Sequence, residues 1–356
     1  MCAERNKKRL HAPPRLSRSF SARQISEAID KNRLLSLSLK LPVGCNLKCR
    51  YCYSQRSRSA LGYGRFARIM SQAAEMGLRS LSIIGEGEPF MYRDDRTGKD
   101  IYALIRDANS LGLNVVVFTN NTLIDERAAE VLYGLDVTIV CKLNSFDPRI
   151  QDSLTGVKGS SGKILRGLRC LEQAGFTKKP SRLSIHTVIC RSNYAEIPQM
   201  WGEFRRRNII PYFQVLVPPR NQNERYFNGL RVSPEKLRDL FIRLRFIDEE
   251  FGFSWDPEHT YPIAALGCSV VKTGCCVGSD GKVQMCGYLA ETLGDARRRS
   301  LSEIMSSAKV RKIRGYIYNG AQGKHSHFYG CRAVAFNTTG DRFADDPFFR
   351  KNSNKL

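Results

Sequence analysis

The sequence predicts an α/β fold: a parallel sheet with crossover helices, closed or partly closed as a barrel, and a smaller cysteine-bearing lobe after it. Three observations carry this. Strand-like and helix-like patterns alternate six times between residues 34 and 255, as parallel strands with crossover helices do. The length, 356 residues, suits one barrel of roughly 250 residues plus a smaller domain. After about Tyr261 the alternation stops, and cysteines, short segments and a turn signal at Ser279 to Gly281 take its place.

The elements follow in order. Residues 1–33 are polar, basic and broken by Pro13-Pro14, which reads as a mobile or loosely docked arm. Leu35, Leu37, Leu39 and Leu41 alternate with Ser and Lys before Pro42, so residues 34–41 form the first strand. Helical and apolar patterns then pair off as 66–76 with 81–84, 101–110 with 115–118, 126–133 with 137–143, 164–174 with 183–189, and 198–206 with 212–217. A last helix covers 234–251. The expected domains are a barrel over 34–255, a lobe over 261–349 and a basic tail over 350–356.

Composition narrows the class. With 42% hydrophobic and 26% charged residues, disorder throughout is excluded. No window approaches the roughly 18 to 20 apolar residues of a membrane span, and no apolar run follows the charged start. A soluble, cytoplasmic protein is expected. There thiols stay reduced, so the 12 cysteines read as metal ligands or reactive thiols. The net charge of +23 is concentrated at the ends, with +16 in residues 1–40 and 296–356. Solvated termini are the simplest reading, beside an acidic partner, a phosphorylated substrate or nucleic acid.

Directly after the first strand stand Cys45, Cys49 and Cys52. Three thiolates in one tight loop can wrap one face of a cubane iron–sulfur cluster and leave its fourth iron open. A zinc site would need a fourth ligand nearby, and no His, Cys or acid lies between Cys52 and Glu75. Position agrees, because chemistry in such barrels sits at the C-terminal strand ends. The CxxxCxxC spacing, with Tyr51 before the last cysteine, resembles the radical S-adenosylmethionine (radical SAM) superfamily. The resemblance implies a partial (β/α)6 TIM-like barrel and a [4Fe-4S] cluster whose open iron is chelated by the amino and carboxylate groups of SAM. Reduction then yields methionine and a 5′-deoxyadenosyl radical, which abstracts hydrogen from substrate.

Gly85, Glu86, Gly87, Glu88 and Pro89 follow the second strand, where the family's GGEP motif meets the SAM amino group. Gly87 would let the backbone approach a ligand and Pro89 fixes the exit; Glu86 stands where Gly is usual. Later strand ends offer Thr119, Asn120 and Asn121, then Lys142, Asn144 and Ser145, then His186 and Asn193, then Gln214. Asn120, Asn144, Ser145, Asn193 and Tyr51 are the further expected cofactor contacts. The competing readings are a helix cap for Asn120, a turn for Asn193 and a satisfied core residue for His186.

Cys268, Cys275, Cys276, Cys286 and Cys331 form a second set. The stretch from Cys268 to Cys286 with Gly281 at its turn, and the later Gly330-Cys331-Arg332-Ala333, Thr339-Gly340-Asp341 and Asp346-Pro347, resemble SPASM and twitch auxiliary-cluster domains. Two positions that would feed an outer cluster are His327 and Phe349, and Phe cannot ligate iron. One auxiliary [4Fe-4S] cluster is therefore expected, on Cys268, Cys286, Cys331 and either Cys275 or Cys276, to accept or pass on an electron. If neither adjacent cysteine binds, an open iron would hold substrate. One spare thiol among Cys141, Cys275 and Cys276 is the candidate hydrogen donor of an epimerase. Cys170 and Cys190 read as small core hydrophobes, and His325 with His327 as a solvated turn.

The resemblance implies an oxidoreductase or epimerase reduced by flavodoxin or ferredoxin. Its substrate is expected to be a small polar metabolite such as a sugar or aminocyclitol. A peptide or protein side chain is the alternative, and RNA modification rests on charge alone.

Overall fold

A computed structural model describes residues 11, 20–54, 60–217, 224–254, 270–289, 291–318, 331–341 and 344. Within the arm expected over residues 1–33, Ala22–Asp30 form helix α1. Ser21 and Gln24 form a reciprocal capping box at its start, a signal that decides the helix despite the basic composition around it.

Strand and helix then alternate as β1 (Ser36–Leu41), α2 (Tyr63–Glu75), β2 (Ser80–Gly85), α3 (Ile101–Ser110), β3 (Asn114–Thr119), α4 (Glu126–Gly134) and β4 (Thr138–Lys142). Two helices, α5 (Pro148–Thr155) and α6 (Ser160–Gln173), lead to β5 (Leu183–Ile189), and α7 (Ile197–Arg206) to β6 (Ile210–Val215). Next come α8 (Glu224–Leu230), α9 (Pro234–Glu250) and α10 (Val270–Thr273). The C-terminal segment contributes β7 (Gly274–Val277), β8 (Lys282–Gln284), β9 (Thr292–Asp295), α11 (Leu301–Met305), α12 (Ala308–Tyr318) and α13 (Arg332–Thr339). Caps mark the boundaries: Asp100, Asp125 and Ser233 each accept an amide from the first turn of α3, α4 and α9.

All six barrel strands are parallel and neighbour one another in chain order. Among the described residues β6 does not return to β1, so the sheet is open and the barrel partial. The segment expected as a separate lobe continues the same sheet. β7 pairs parallel to β1, Ser36 opposite Gly274 through Leu39 opposite Val277, and β8 and β9 follow antiparallel. This covers an edge that β1 would otherwise leave unpaired.

Apolar side chains fill the space between sheet and helices. Phe66, Met70, Leu104, Leu168, Trp201 and Phe204 are fully buried there, each contributing about 1.5 to 3 kcal/mol. The opposite face of the strands is concave. Ser38, Ile84, Phe118, Lys142, His186 and Gln214, one from each strand in turn, line a single cavity of about 470 Å³. Among the described residues no helix is long and apolar enough to cross a membrane.

Candidate functional site

The loop after β1 is clamped from two sides. Amides of Lys48 and Arg50 donate to the Thr155 and Leu154 carbonyls at the end of α5, at 2.9 and 3.0 Å. Gly156 closes that helix at φ 69° and abuts the Lys48 carbonyl, where a side chain would collide. On the other side Glu88 N–H donates to the Gly44 carbonyl at 2.9 Å. A Cβ on Gly87 would overlap that same carbonyl. Gly87 thus approaches the cysteine loop closely, and it lines the cavity as well.

So held, Cys45, Cys49 and Cys52 all line the cavity. The Leu47 amide (3.4 Å) and the Asn120 side-chain amide (3.8 Å) both donate to Cys45 Sγ. Burial raises the Cys45 thiol and pushes Cys49 up to about 11, so metal binding would have to displace their protons. Three soft thiolates on one wall, one of them already receiving N–H donors, fit an iron–sulfur cluster. The fit rests on the donor set, since among the described residues no three metal-ligating side chains converge on one point.

The 85–89 loop is cross-linked rather than loose. Buried Glu88 accepts from Thr119 Oγ1 at 2.7 Å, Asn120 N–H at 2.6 Å and Phe90 N–H at 3.2 Å, which ties the loop to the end of β3. Burial nevertheless pushes its carboxyl up to about 7, against those three hydrogen bonds. Pro89 opens a short 3₁₀ turn. Glu86, the departure from glycine, reaches across to the C-terminal segment, where its carboxylate accepts from Ser279 Oγ. Its carbonyl accepts from Ser54 Oγ at 2.9 Å.

Asn120 lines the cavity and bonds Asn46 Oδ1 at 2.7 Å; the cap of α4 is Asp125 instead. Tyr51 also lines the cavity, its hydroxyl accepting from Asn144 Nδ2 at 2.7 Å. The other expected contacts lie behind the wall. Asn144, Ser145 and Asn193 are buried, and their polar atoms serve one another and Gln151, Val188, Cys190 and Glu196. They brace the ends of β4 and β5, with Asn193 holding the turn after β5.

Facing the cavity instead is a linked polar row. Lys142 Nζ lies 3.4 Å from His186 Nδ1, His186 Nε2 lies 2.9 Å from Gln214 Oε1, and Tyr288 donates to that oxygen at 3.3 Å. Gln214 Oε1 can only accept and Lys142 only donate, which assigns the His186 proton to Nε2. Burial lowers Lys142 to about 8, opposed by the Cys49, Cys190 and Cys52 thiols. Tyr53, directly after the first cysteine set, stacks on Tyr288 at 4.1 Å between centroids. Lys40 Nζ donates to the Gly287 carbonyl at 2.8 Å. Neither contact is legible in the sequence, because each joins residues more than two hundred apart.

Cys286 and Cys331 reach the cavity from the C-terminal segment. The Tyr288 amide donates to Cys286 Sγ at 3.5 Å, and Cys331 stands at the N-cap position of α13 without a side-chain cap bond. Strand alternation separates the adjacent pair. Cys276 stands opposite cavity-lining Ser38, with its sulfur 3.5 Å from the place a Cβ on Gly287 would take. Cys275 points into the apolar core. Cys141 lies in that core too, and none of the three candidate hydrogen donors lines the cavity. Cys170 and Cys190 are buried as expected, and none of the described cysteines forms a disulfide. Cys268, His325, His327 and Phe349 lie outside the described residues.

Comparison with known proteins supplies the frame. The radical SAM superfamily model matches residues 39–200, and a SPASM model, an iron–sulfur cluster-binding domain, matches residues 268–333. The AdoMet-dependent heme synthase of Methanosarcina barkeri is 24% identical over 343 residues, 88% of this chain and 95% of the relative. The PqqA peptide cyclase of Granulibacter bethesdensis is 25% identical over 88% of this chain and 86% of its own. Among solved structures, Streptococcus suis SuiB bound to S-adenosylmethionine superposes with a TM-score of 0.66 at 19% identity, over 92% of this chain and 80% of SuiB. Native anSMEcpe with bound AdoMet gives 0.63 at 17%, over 86% and 92%. These two likenesses concern the fold.

Proposed function

Because the chain belongs to the radical SAM superfamily and carries a SPASM domain at its C-terminus, we propose that it abstracts a hydrogen atom from a small polar metabolite, such as a sugar or aminocyclitol, and oxidises or inverts the carbon. The family's domains bind a [4Fe-4S] cluster with SAM and auxiliary iron–sulfur clusters; when bound, these supply reductive SAM cleavage and an electron acceptor. Cys45, Cys49 and Cys52 would hold the first, and Cys268, Cys276, Cys286 and Cys331 one auxiliary cluster. The 85–89 loop and Asn120 face the space that SAM would take. Flavodoxin or ferredoxin is the class of reductant, in a cytoplasm that keeps the thiols free.

The observation that carries the reading is the row Lys142, His186, Gln214 and Tyr288, which shares one cavity with the cysteine triad. Gln214 Oε1 is already used by two partners, which leaves its amide nitrogen and the Lys142 ammonium as donors. Such donors suit an oxygen-rich substrate, hydroxyls or a carboxylate, and can fix its reacting carbon. The heme synthase relative, matched along nearly its whole length, favours a substrate other than a peptide. The PqqA peptide cyclase relative supports the second reading, a peptide side chain.

The test is anaerobic reconstitution, then 5′-deoxyadenosine release with dithionite and SAM, with and without a cell extract separated into small-metabolite and peptide fractions. Stimulation by the small-metabolite fraction is expected, and stimulation by peptides alone would move the reading to its alternative. Replacing Cys45, Cys49 and Cys52 by Ala should abolish release. Persistence of 5′-deoxyadenosine in that variant would sink the assignment.

A further inference from the structure

A second depression, about 300 Å³, lies between α2 and the segment after β9. Five arginines line it: Arg65 and Arg68 from α2, and Arg297, Arg298 and Arg299. Arg297 is held by Asp295, and Arg299 Nη2 donates to the Glu303 carbonyl at 3.1 Å. Arg298 lies within electrostatic reach of the same Asp295, so one carboxylate faces two of the five guanidiniums, and no ion pair is formed by Arg65 or Arg68 among the described residues. The floor is rigid, since Gln72 Oε1 accepts from the Leu301 amide at 3.0 Å and Ser300 with Glu303 forms a capping box.

The groove also backs onto the candidate active site. Arg297 packs on Gly281, where a Cβ would lie 2.8 Å from its Cγ. Two residues earlier Ser279 donates to Glu86, which lines the cavity, and two residues span at most about 7 Å. Charge gathered on the outer side of that wall can bring an acidic protein to the side of the molecule that holds both cysteine sets.

We propose, on the reading of the preceding section, that this arginine groove is the docking surface for the acidic reductant, a flavodoxin-type protein. Redox encounters use small, polar, weakly held interfaces in which complementary charge sets the association rate. Nucleic acid fits less well, because none of the lining residues is aromatic and single strands bind on stacking platforms.

The experiment uses the cluster-loaded full chain and flavodoxin reduced to the hydroquinone. The second-order rate of flavodoxin oxidation is followed against ionic strength in the wild type and in the Arg65→Glu/Arg68→Glu/Arg298→Glu variant. That rate should fall at least about tenfold at low salt and lose most of its salt dependence, while dithionite-driven SAM cleavage stays within about twofold. Should the Glu variant not fold, the corresponding triple Gln variant should show a smaller loss in the same direction. An unchanged flavodoxin rate overturns the proposal, and an unchanged rate with lost affinity for a single-stranded RNA oligonucleotide would reassign the groove. A wild type inactive with dithionite defeats the catalytic reading instead, which the flavodoxin comparison does not touch.

Discussion

Two adjacent residues of one strand cannot face the same way, and at β7 that rule separates two cysteines the sequence leaves equivalent. Cys276 shares its side with Ser38, which stands opposite it on β1 and lines the cavity, whereas Cys275 packs in the core. The Cys276 sulfur lies 3.5 Å from the place a Cβ on Gly287 would take, next to Cys286 in the chain, so Cys276 belongs with the cavity-side cysteines. Cys275 instead lies near the Arg314 guanidinium. Anaerobically reconstituted wild type should then carry about eight irons, Cys276→Ala about four, and Cys275→Ala about eight. Iron analysis with electron paramagnetic resonance of the reduced protein checks this. Full iron in Cys276→Ala would return the fourth ligand to Cys275 or to another group.

At the scale of elements, the cysteine loop and the 85–89 loop are one unit, because Gly87 lies flat against the Gly44 carbonyl and Glu88 N–H bonds it. Gly87→Ala would push them apart. Its expected outcome is loss of about four of the eight irons and of SAM binding, with circular dichroism and the apolar core unchanged; an unaltered iron content would show that the loops move independently. Strands and crossover helices were legible because their signals are local. Leu183–Ile189 and Ile101–Ser110 fall where apolar runs and periodicity place them. Helix α5 was missed although Asp147-Pro148 at its start and Gly156 at its end mark a helix with both caps in place. In the site, the grouping of the triad was legible from spacing, and the 85–89 loop, which lines the same cavity, from its likeness to a family motif. The bracing role of Asn144, Ser145 and Asn193 was not, since each is buried against partners from other elements. The same holds for Glu86, whose departure from glycine acquires a purpose only once Ser279 is beside it.

For the whole molecule, the continuous sheet changes what the C-terminal segment is for. An open parallel sheet has two edges, and here β7 covers one of them along Ser36 to Leu39. The same segment supplies Cys286, Tyr288 and Cys331 to the cavity, and ties itself down through Lys40 to Gly287 and Ser279 to Glu86. A chain ending at Ser254 would keep every barrel strand yet expose the β1 edge and the apolar side chains beneath β7, α11 and α12. Exposed edges pair with one another, and a cavity opened to water loses the low dielectric that strengthens its polar contacts. The truncated protein should therefore form oligomers or aggregate in light scattering at concentrations where the full chain does not. After reconstitution it should also lose the iron of the auxiliary cluster and most of its affinity for SAM. A monomeric, SAM-binding barrel from the truncated chain would mean that the C-terminal strands are an appendage, and that stability resides in β1 to β6 and their helices alone.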